Sequence, residues 1–401
     1  MHSILLVAFA LCGVALEVCS AGAAPAHAAA GPPSVILGIR RIDRNILDDR
    51  TPGMAGIKYG VEGGEVVRDA HGTFHLFTSE QFGDPYWVAN RITHWTSRDG
   101  LSWRRDPRWA KEGNHDQTGT RDKSNYFDPT VAYDEKTGYW YMFYVAYRYA
   151  AAKTWYAAKI YRAKAVRPGR AGLGGPYHDN DADDVVVLGP VEHPGRYEAK
   201  WVGDTKGGPG AASVTLYRTS DAWVMLWAEN MLATAPAPSG TFTRLPEGPL
   251  NPVTFGRPPM DWGTNSVFTA IQKHFYFENP IVIRIPKGRA GAGTYLLATG
   301  NYTDASLGIT HQTCGYATSQ DGLRWSELRP INPGFGDCAT VLSLLPEADG
   351  GYTMYITSHD KVEETAGELQ STGTVDVPSY ERVSRIELDL GLRDVVTTRR
   401  Q

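Results

Sequence analysis

The chain has 401 residues, 40 Lys+Arg against 44 Asp+Glu, and 42% of it is hydrophobic. So much apolar material supports a sizeable core and excludes global disorder. A formal net charge of -4 supplies no basic field, which argues against nucleic acid or an anionic membrane as the main partner. The length allows two or three domains or one large all-β domain, and 43 Gly with 25 Pro favour many short strands and turns over a helical bundle.

The N-terminus reads as a processing signal. Ile4 to Val18 is almost wholly apolar, small residues run from Ser20 to Ala30, and Ala26-His27-Ala28 has the small-x-small cleavage pattern. This predicts a signal peptide over 1–28, a mature protein starting near Ala29, and a secreted or periplasmic location. Cys12 and Cys19 leave with the signal. Cys314 and Cys338 remain, 24 residues apart, either as a disulfide in an oxidising compartment or as two buried thiols. Without a CxxC or a paired His they define no zinc site.

One pattern then returns along the sequence: a polar opening, an apolar strand, a polar turn and an aromatic strand. It occurs at Glu62-Gly63-Gly64-Glu65-Val66-Val67 before Phe74-His75-Leu76-Phe77. It returns at Asp128-Pro129-Thr130-Val131 before Tyr139 to Tyr144, and more weakly at Ala212 to Tyr217 before Trp223 to Trp227. The last two copies are Glu278-Asn279-Pro280-Ile281 before Thr294 to Leu297, and Asp337-Cys338-Ala339-Thr340 before Tyr352 to Ile356. Five such units, none able to bury both faces alone, predict an all-β, five-bladed β-propeller over 35–395, a single domain after the signal peptide.

Two further segments echo each other. Ser97-Arg98-Asp99-Gly100-Leu101-Ser102-Trp103 and Ser319-Gln320-Asp321-Gly322-Leu323-Arg324-Trp325 read as outer turns, with Asp-Gly making the bend and Trp plugging the gap. Ala146 to Lys164 has helical propensity, but Ile160 to Lys164 alternates, so it is read as strand. Pro168 to Lys206 is expected to run over the surface as a long connection.

The Asp128-Pro129 opening, the Glu278-Asn279-Pro280 strand and the Ser-x-Asp-Gly-x-x-Trp turns resemble the five-bladed β-propeller glycoside hydrolases, the family 43 arabinanases and xylosidases and their relatives. That resemblance implies acidic residues from three blades pointing into a central funnel: a base, a pKa modulator, and a general acid in a Glu-x-Pro context. Carried onto this sequence, Glu278 takes the acid position and Asp128 the base or modulator. The first blade departs from the family pattern. Glu62-Gly63-Gly64-Glu65 stands where an Asp is usual, so Glu62 becomes the base candidate and a related but distinct family is as consistent as family 43.

The chemistry calls for these residue types. Glycoside cleavage needs a carboxylic acid to protonate the leaving oxygen and a carboxylate to activate water or attack the anomeric carbon. The structural alternatives are a turn cap for Glu62, an Arg partner for Glu65 and a pre-proline turn residue for Asp128. Asp337 holds the matching place in the fifth blade. Tyr86, Trp87 and Trp262 are the aromatics expected to stack on sugar, with Asp261 beside the last. Trp95, Trp140, Trp155, Trp201 and Trp227 read as packing between blades. His75, His94, His115 and His274 have no metal-ligand spacing, so no metal and no cofactor is expected, although the resemblance admits a structural calcium ion at the axis. Asn301-Tyr302-Thr303 is a glycosylation sequon.

The function expected is an exported hydrolase of a polysaccharide or oligosaccharide, with no nucleic-acid or membrane partner. The alternatives are a carbohydrate-binding propeller without catalysis, or a polysaccharide lyase on the same fold, which would favour a Tyr/His site with Arg or Lys facing a uronate.

Overall fold

The computed structural model describes residues 34–83, 89–110, 125–149, 155–178, 185–188, 214–227, 231–246, 250, 253, 255, 275–332, 338–359 and 380–393. The first strand, β1 (Ser34–Leu47), precedes the repeats. Blade 1 comprises β2 (Val61–Arg68), β3 (Phe74–Gly83), β4 (Ala89–Ser97) and β5 (Arg104–Trp109). Blade 2 holds β6 (Asn125–Asp134), β7 (Tyr139–Tyr149), β8 (Trp155–Ala165), the two-residue β9 (Tyr177–His178) and β10 (Val185–Leu188). Blade 3 is β11 (Thr215–Arg218), β12 (Trp223–Trp227), β13 (Met231–Ala235) and β14 (Thr243–Arg244). Blade 4 is β15 (Phe275–Arg284), β16 (Tyr295–Asp304), β17 (Ile309–Ser319) and β18 (Arg329–Pro330). Blade 5 is β19 (Thr340–Pro346), β20 (Tyr352–His359) and β21 (Glu381–Arg393), completed by β1 from the N-terminal side.

The β1–β21 pairing closes the ring, running antiparallel from Ser34↔Arg393 to Leu47↔Val383. It covers what would otherwise be an exposed sheet edge and fastens the first and last strands to one blade. The innermost strands touch in the order β2, β6, β11, β15, β19 and back to β2, so five blades surround one hub.

Side-chain alternation explains why the blades stand face to face. Neighbouring residues on one strand point to opposite faces: Leu76 packs toward blade 5 and Phe77 toward blade 2. Met142 and Phe143, Met225 and Leu226, and Leu296 and Leu297 divide in the same way. The result is a hydrophobic cluster in every gap between adjacent blades, all around the ring. Trp95, Trp140 and Trp227 are buried in these gaps, as the packing reading expects.

The two outer turns are built alike. Ser97 Oγ donates to Asp99 Oδ1 (2.8 Å) and accepts from Gly100 N (2.9 Å), and Asp99 Oδ1 takes the amides of Leu101 (2.8 Å) and Ser102 (2.7 Å). In blade 4 the corresponding distances are 3.0 Å for Ser319–Asp321, 2.8 Å from Gly322 N, and 2.8 and 2.7 Å from Leu323 and Arg324. Gly100 and Gly322 have φ of 71° and 76°, a left-handed conformation glycine adopts without penalty. Each turn is then clipped to the neighbouring blade by a tyrosine: Tyr355 Oη donates to Gly100 O (3.0 Å) and Tyr217 Oη to Gly322 O (2.8 Å). Trp103 and Trp325 meet those same tyrosines edge-on.

Two expectations about blade 2 resolve differently. The Ala146–Lys164 stretch is strand in its described parts, the end of β7 and most of β8. The Pro168–Lys206 stretch is not merely a surface connection. It contributes a 3₁₀ turn at Arg170–Gly174, then β9 and β10, both paired to β8, with Leu173 and Tyr177 buried. The Gly/Asp content signalled turns but hid the two apolar anchors that draw this segment into the sheet. Cys314 and Cys338 form a disulfide with Cα atoms 5.4 Å apart, the first of the two states left open by the sequence. Asn301 is 6% exposed within β16, so the sequon is inaccessible in the folded protein. Among the described residues no helix is long and apolar enough to cross a membrane.

Candidate functional site

The hub ends of the inner strands are where the regular pairing breaks. In β2 the register shifts between Glu62 and Gly64, in β6 between Phe127 and Thr130, and in β15 between Glu278 and Ile281. Each bulge inserts a residue and re-aims the side chains beside it. The bulge residues are left-handed: Gly63 has φ 61°, Asp128 φ 50° and Asn279 φ 48°. For Asp128 and Asn279, each followed by proline, this is a strained backbone of the kind that persists where the surroundings enforce it.

The structure matches Asp128-Pro129 to Asn279-Pro280, and Phe127 to Glu278, with the extra residue of each bulge immediately before the proline. On their backbones Asp128 and Glu278 therefore stand one residue apart in register.

Blades 1 and 2 meet closely at this level. The Asp128 amide donates to Ser79 Oγ (2.9 Å), and Asp128 is 7% exposed. A Cβ placed on Gly63 would lie 1.8 Å from Asp128 Oδ1, so the carboxylate occupies space that only glycine leaves open. Glu62 is the preceding residue and is half-buried. Its Oε2 accepts 2.9 Å from Gln81 Nε2, and the same nitrogen lies 3.2 Å from Glu381 Oε1. Glu381 is fully buried. Tyr59 and Gly60 hold this pair from the backbone: Gln81 N donates to Gly60 O, Tyr59 N to Gln81 O, and Glu381 N to Tyr59 O, each at 3.0 Å.

Next to Gln81, Glu80 is wholly buried and takes Arg105 through two nitrogens, at 2.6 and 2.8 Å, and Arg91 Nε at 2.9 Å. Three charge-assisted bonds satisfy a carboxylate that could not otherwise leave water. Glu80 is thereby closed off, whereas Glu62 stays partly open to solvent.

Glu65 is elsewhere, and its partner is not an Arg. It accepts from Thr130 Oγ1 and Val131 N, both at 2.8 Å, tying β2 to β6. Enclosure between blades pushes its carboxyl up to about 7, against those two hydrogen bonds. His75 and His94 stack with ring centroids 5.2 Å apart and share a hydrogen bond of 3.0 Å between Nδ1 and Nε2. Asp69 lies 3.4 Å from His75 and Asp106 3.5 Å from His94. These four groups form a largely enclosed polar row in blade 1, and among the described residues no cluster of three or more His, Cys, Asp or Glu has the arrangement of a metal site.

Of the residues singled out in the sequence, Glu62 and Asp128 are brought to neighbouring positions. Glu278 is placed by its backbone, opposite Gly300 on the inner strand of blade 4; its side chain lies outside the described residues, as do Tyr86, Trp87, Asp261, Trp262, Asp337, His115, His274 and Trp201. Gln81 and Glu381 were missed. The signal for Gln81 was the polar run Ser79-Glu80-Gln81 ending an apolar strand; for Glu381, more than 300 residues from Glu62 in sequence, there is none.

No family model and no curated protein matches this sequence. Solved structures do. The BT0996 RGII complex superposes with a TM-score of 0.55 at 11% identity, covering 88% of this protein and 92% of that one. An exo-β-1,3-galactanase from Phanerochaete chrysosporium, solved with β-1,3-galactotriose, gives 0.50 at 12% identity, covering 86% of this protein and 64% of the other. At such identities the likeness is one of fold. The five-bladed propeller expected from the resemblance is the architecture found, and it is one that carbohydrate-active proteins use.

Proposed function

We propose that this protein is an exported glycoside hydrolase that cleaves a polysaccharide or oligosaccharide with carboxylates at the propeller hub. The observation that carries the reading is the packing of Asp128 Oδ1 against Gly63, which sets that carboxylate beside the residue next to Glu62, where the inner strands bulge. Fold alone would not distinguish a hydrolase from a binding module; neighbouring acids on enforced backbone bulges favour chemistry.

In this reading Glu62 is the base or nucleophile, since it is partly open and already oriented by a donor. Asp128, close by and more buried, modulates it by charge. Glu278 is the general acid, a role resting on the Glu-x-Pro resemblance and on its place at the bulge of blade 4. Tyr86, Trp87, Trp262 and Asp337 bind sugar. The protein is secreted or periplasmic after loss of residues 1–28, and the chemistry calls for no cofactor.

The test is a panel of polysaccharides and aryl glycosides with the wild type and Glu278→Gln. Turnover by the wild type, lost by roughly 10²–10⁴-fold in the variant with sugar binding retained, is the expected result. Substantial residual turnover by the variant on the best substrate removes the acid assignment. Binding without turnover by the wild type makes the protein a carbohydrate-binding propeller, and unsaturated products make it a lyase.

A further inference from the structure

We infer that Gln81 is a positioning residue for Glu62, and that buried Glu381 sets which way the Gln81 amide faces. The inference rests on the hydrolase reading for its consequence in catalysis, but its geometry stands apart from that reading.

An amide side chain can present either its nitrogen or its oxygen to a neighbour, and the choice follows from the hydrogen bonds available. Gln81 Nε2 lies between two carboxylates, 2.9 Å from Glu62 Oε2 and 3.2 Å from Glu381 Oε1. A carboxyl oxygen accepts from an N–H, so turning the amide over would set its carbonyl oxygen against carboxyl oxygens on both sides. The amide carries two N–H donors, one for each. Gln81 Oε1, by contrast, has no hydrogen-bond partner among the described residues, so none of these competes for the orientation from the oxygen side.

The frame around the amide is fixed. Gln81 is 1% exposed and Glu381 fully buried. Their main chains are joined through the Tyr59-Gly60 segment by three hydrogen bonds of 3.0 Å. That segment bridges blades 1 and 5, so the nitrogen is held at a set height in the hub. A carboxylate hydrogen-bonded to it keeps one rotamer, with Oε2 the oxygen that the amide engages. Such fixed orientation is what separates a reactive carboxylate from one that merely lies nearby. Burying an acid as completely as Glu381 is costly, and orienting Gln81 gives that acid a role.

The experiment compares Gln81→Glu, which keeps the shape but replaces the donor with a third acid, and Gln81→Met, which removes the donor without adding charge. Both withdraw the bond that favours ionised Glu62, so Glu62 should hold its proton to higher pH, more so in Gln81→Glu. On the best substrate from the panel, kcat should fall roughly ten- to hundred-fold with KM little changed, and the acidic limb of the rate profile should move to higher pH. A ¹³C-carboxyl titration of Glu62 should report the same upward movement without any substrate. If Gln81→Glu does not fold, Gln81→Met carries the test alone. A lower melting temperature with the acidic limb and the carboxyl titration unmoved would make Gln81 structural only and overturn the inference. A wild type inactive on the whole panel would sink the hydrolase reading, while the carboxyl titration would still decide whether Gln81 governs Glu62.

Discussion

The rim and the hub of this propeller are built on opposite plans. At the rim, the turn from Ser97 to Trp103 satisfies itself: its serine, aspartate and glycine bond one another within a few residues, and blade 4 repeats the arrangement to within about 0.2 Å. At the hub, Glu62, Gln81, Asp128 and Glu381 come from three blades, and nearly every contact spans tens to hundreds of residues. Local bonds specify the rim and recur wherever the motif recurs. The hub is specified by ring closure and is made once. The rim therefore serves stability, and the hub is free to serve chemistry.

The sharpest way to break the contrast is Gly63→Ala. A Cβ there meets Asp128 Oδ1 at 1.8 Å, at a φ of 61°. Displacing that carboxylate should lower kcat on the best substrate by roughly a hundred-fold. The cost in stability should be only about 1–2 kcal/mol, measured by denaturant unfolding. A variant with full activity would separate the hub carboxylates from function.

At the rim the expectation is reversed. Trp103→Ala and Trp325→Ala empty matching plugs, 5% and 8% exposed, and should each cost about 3–5 kcal/mol. Activity per folded molecule should not change. Unequal losses at the two sites would show that the motif's equivalence ends at its backbone.

Between rim and hub lies the polar row of Asp69, His75, His94 and Asp106. Burial first, then the His75 charge, holds His94 down to about 4, from an ordinary value of 6.5. The unfolded protein takes up a proton on this ring below about pH 6.5, whereas the folded protein does so only near pH 4. Stability is therefore lost as pH falls through that window, by about 3 kcal/mol at most. His94→Gln should flatten this part of the stability profile in equilibrium unfolding at stepped pH. An unchanged slope would mean that another group dominates.

The smallest effects belong to the tyrosine clips. Tyr355→Phe and Tyr217→Phe each remove one buried hydrogen bond to a turn carbonyl, at 3.0 and 2.8 Å, worth about 1 kcal/mol apiece. The clips bind different blade pairs, so the double variant should show additive loss. A marked departure from additivity would reveal that strain travels around the ring.

The repeats were legible because their signals are local. Asp-Gly turns, alternating apolar strands and plugging tryptophans each lie within a dozen residues, and together they imply a ring of five small sheets. Closure of blade 5 by β1 was not legible, since the pairing of Ser34 with Arg393 leaves no mark in either segment. At the hub, Glu62 and Asp128 were singled out as candidates because they open repeats of the strand pattern. The one-residue offset between Asp128 and Glu278 is written in the letters, Asp128-Pro129 against Glu278-Asn279-Pro280; the bulges at both prolines are not, because they exist only against a paired strand. Val185 to Leu188, behind a Gly- and Asp-rich stretch, was missed as a strand for a similar reason: its edge exists only once β8 is in place.

By itself the sequence determined its building unit, its turns and the acidic residue types offered at the strand openings, all of them consequences of neighbours along the backbone. Tertiary structure decided which of those acids meet. It joined Glu381 to Glu62 through Gln81 and turned Glu65 away into a clip between blades. Closing the ring fixes distances between residues whose separation in sequence carries no information about them.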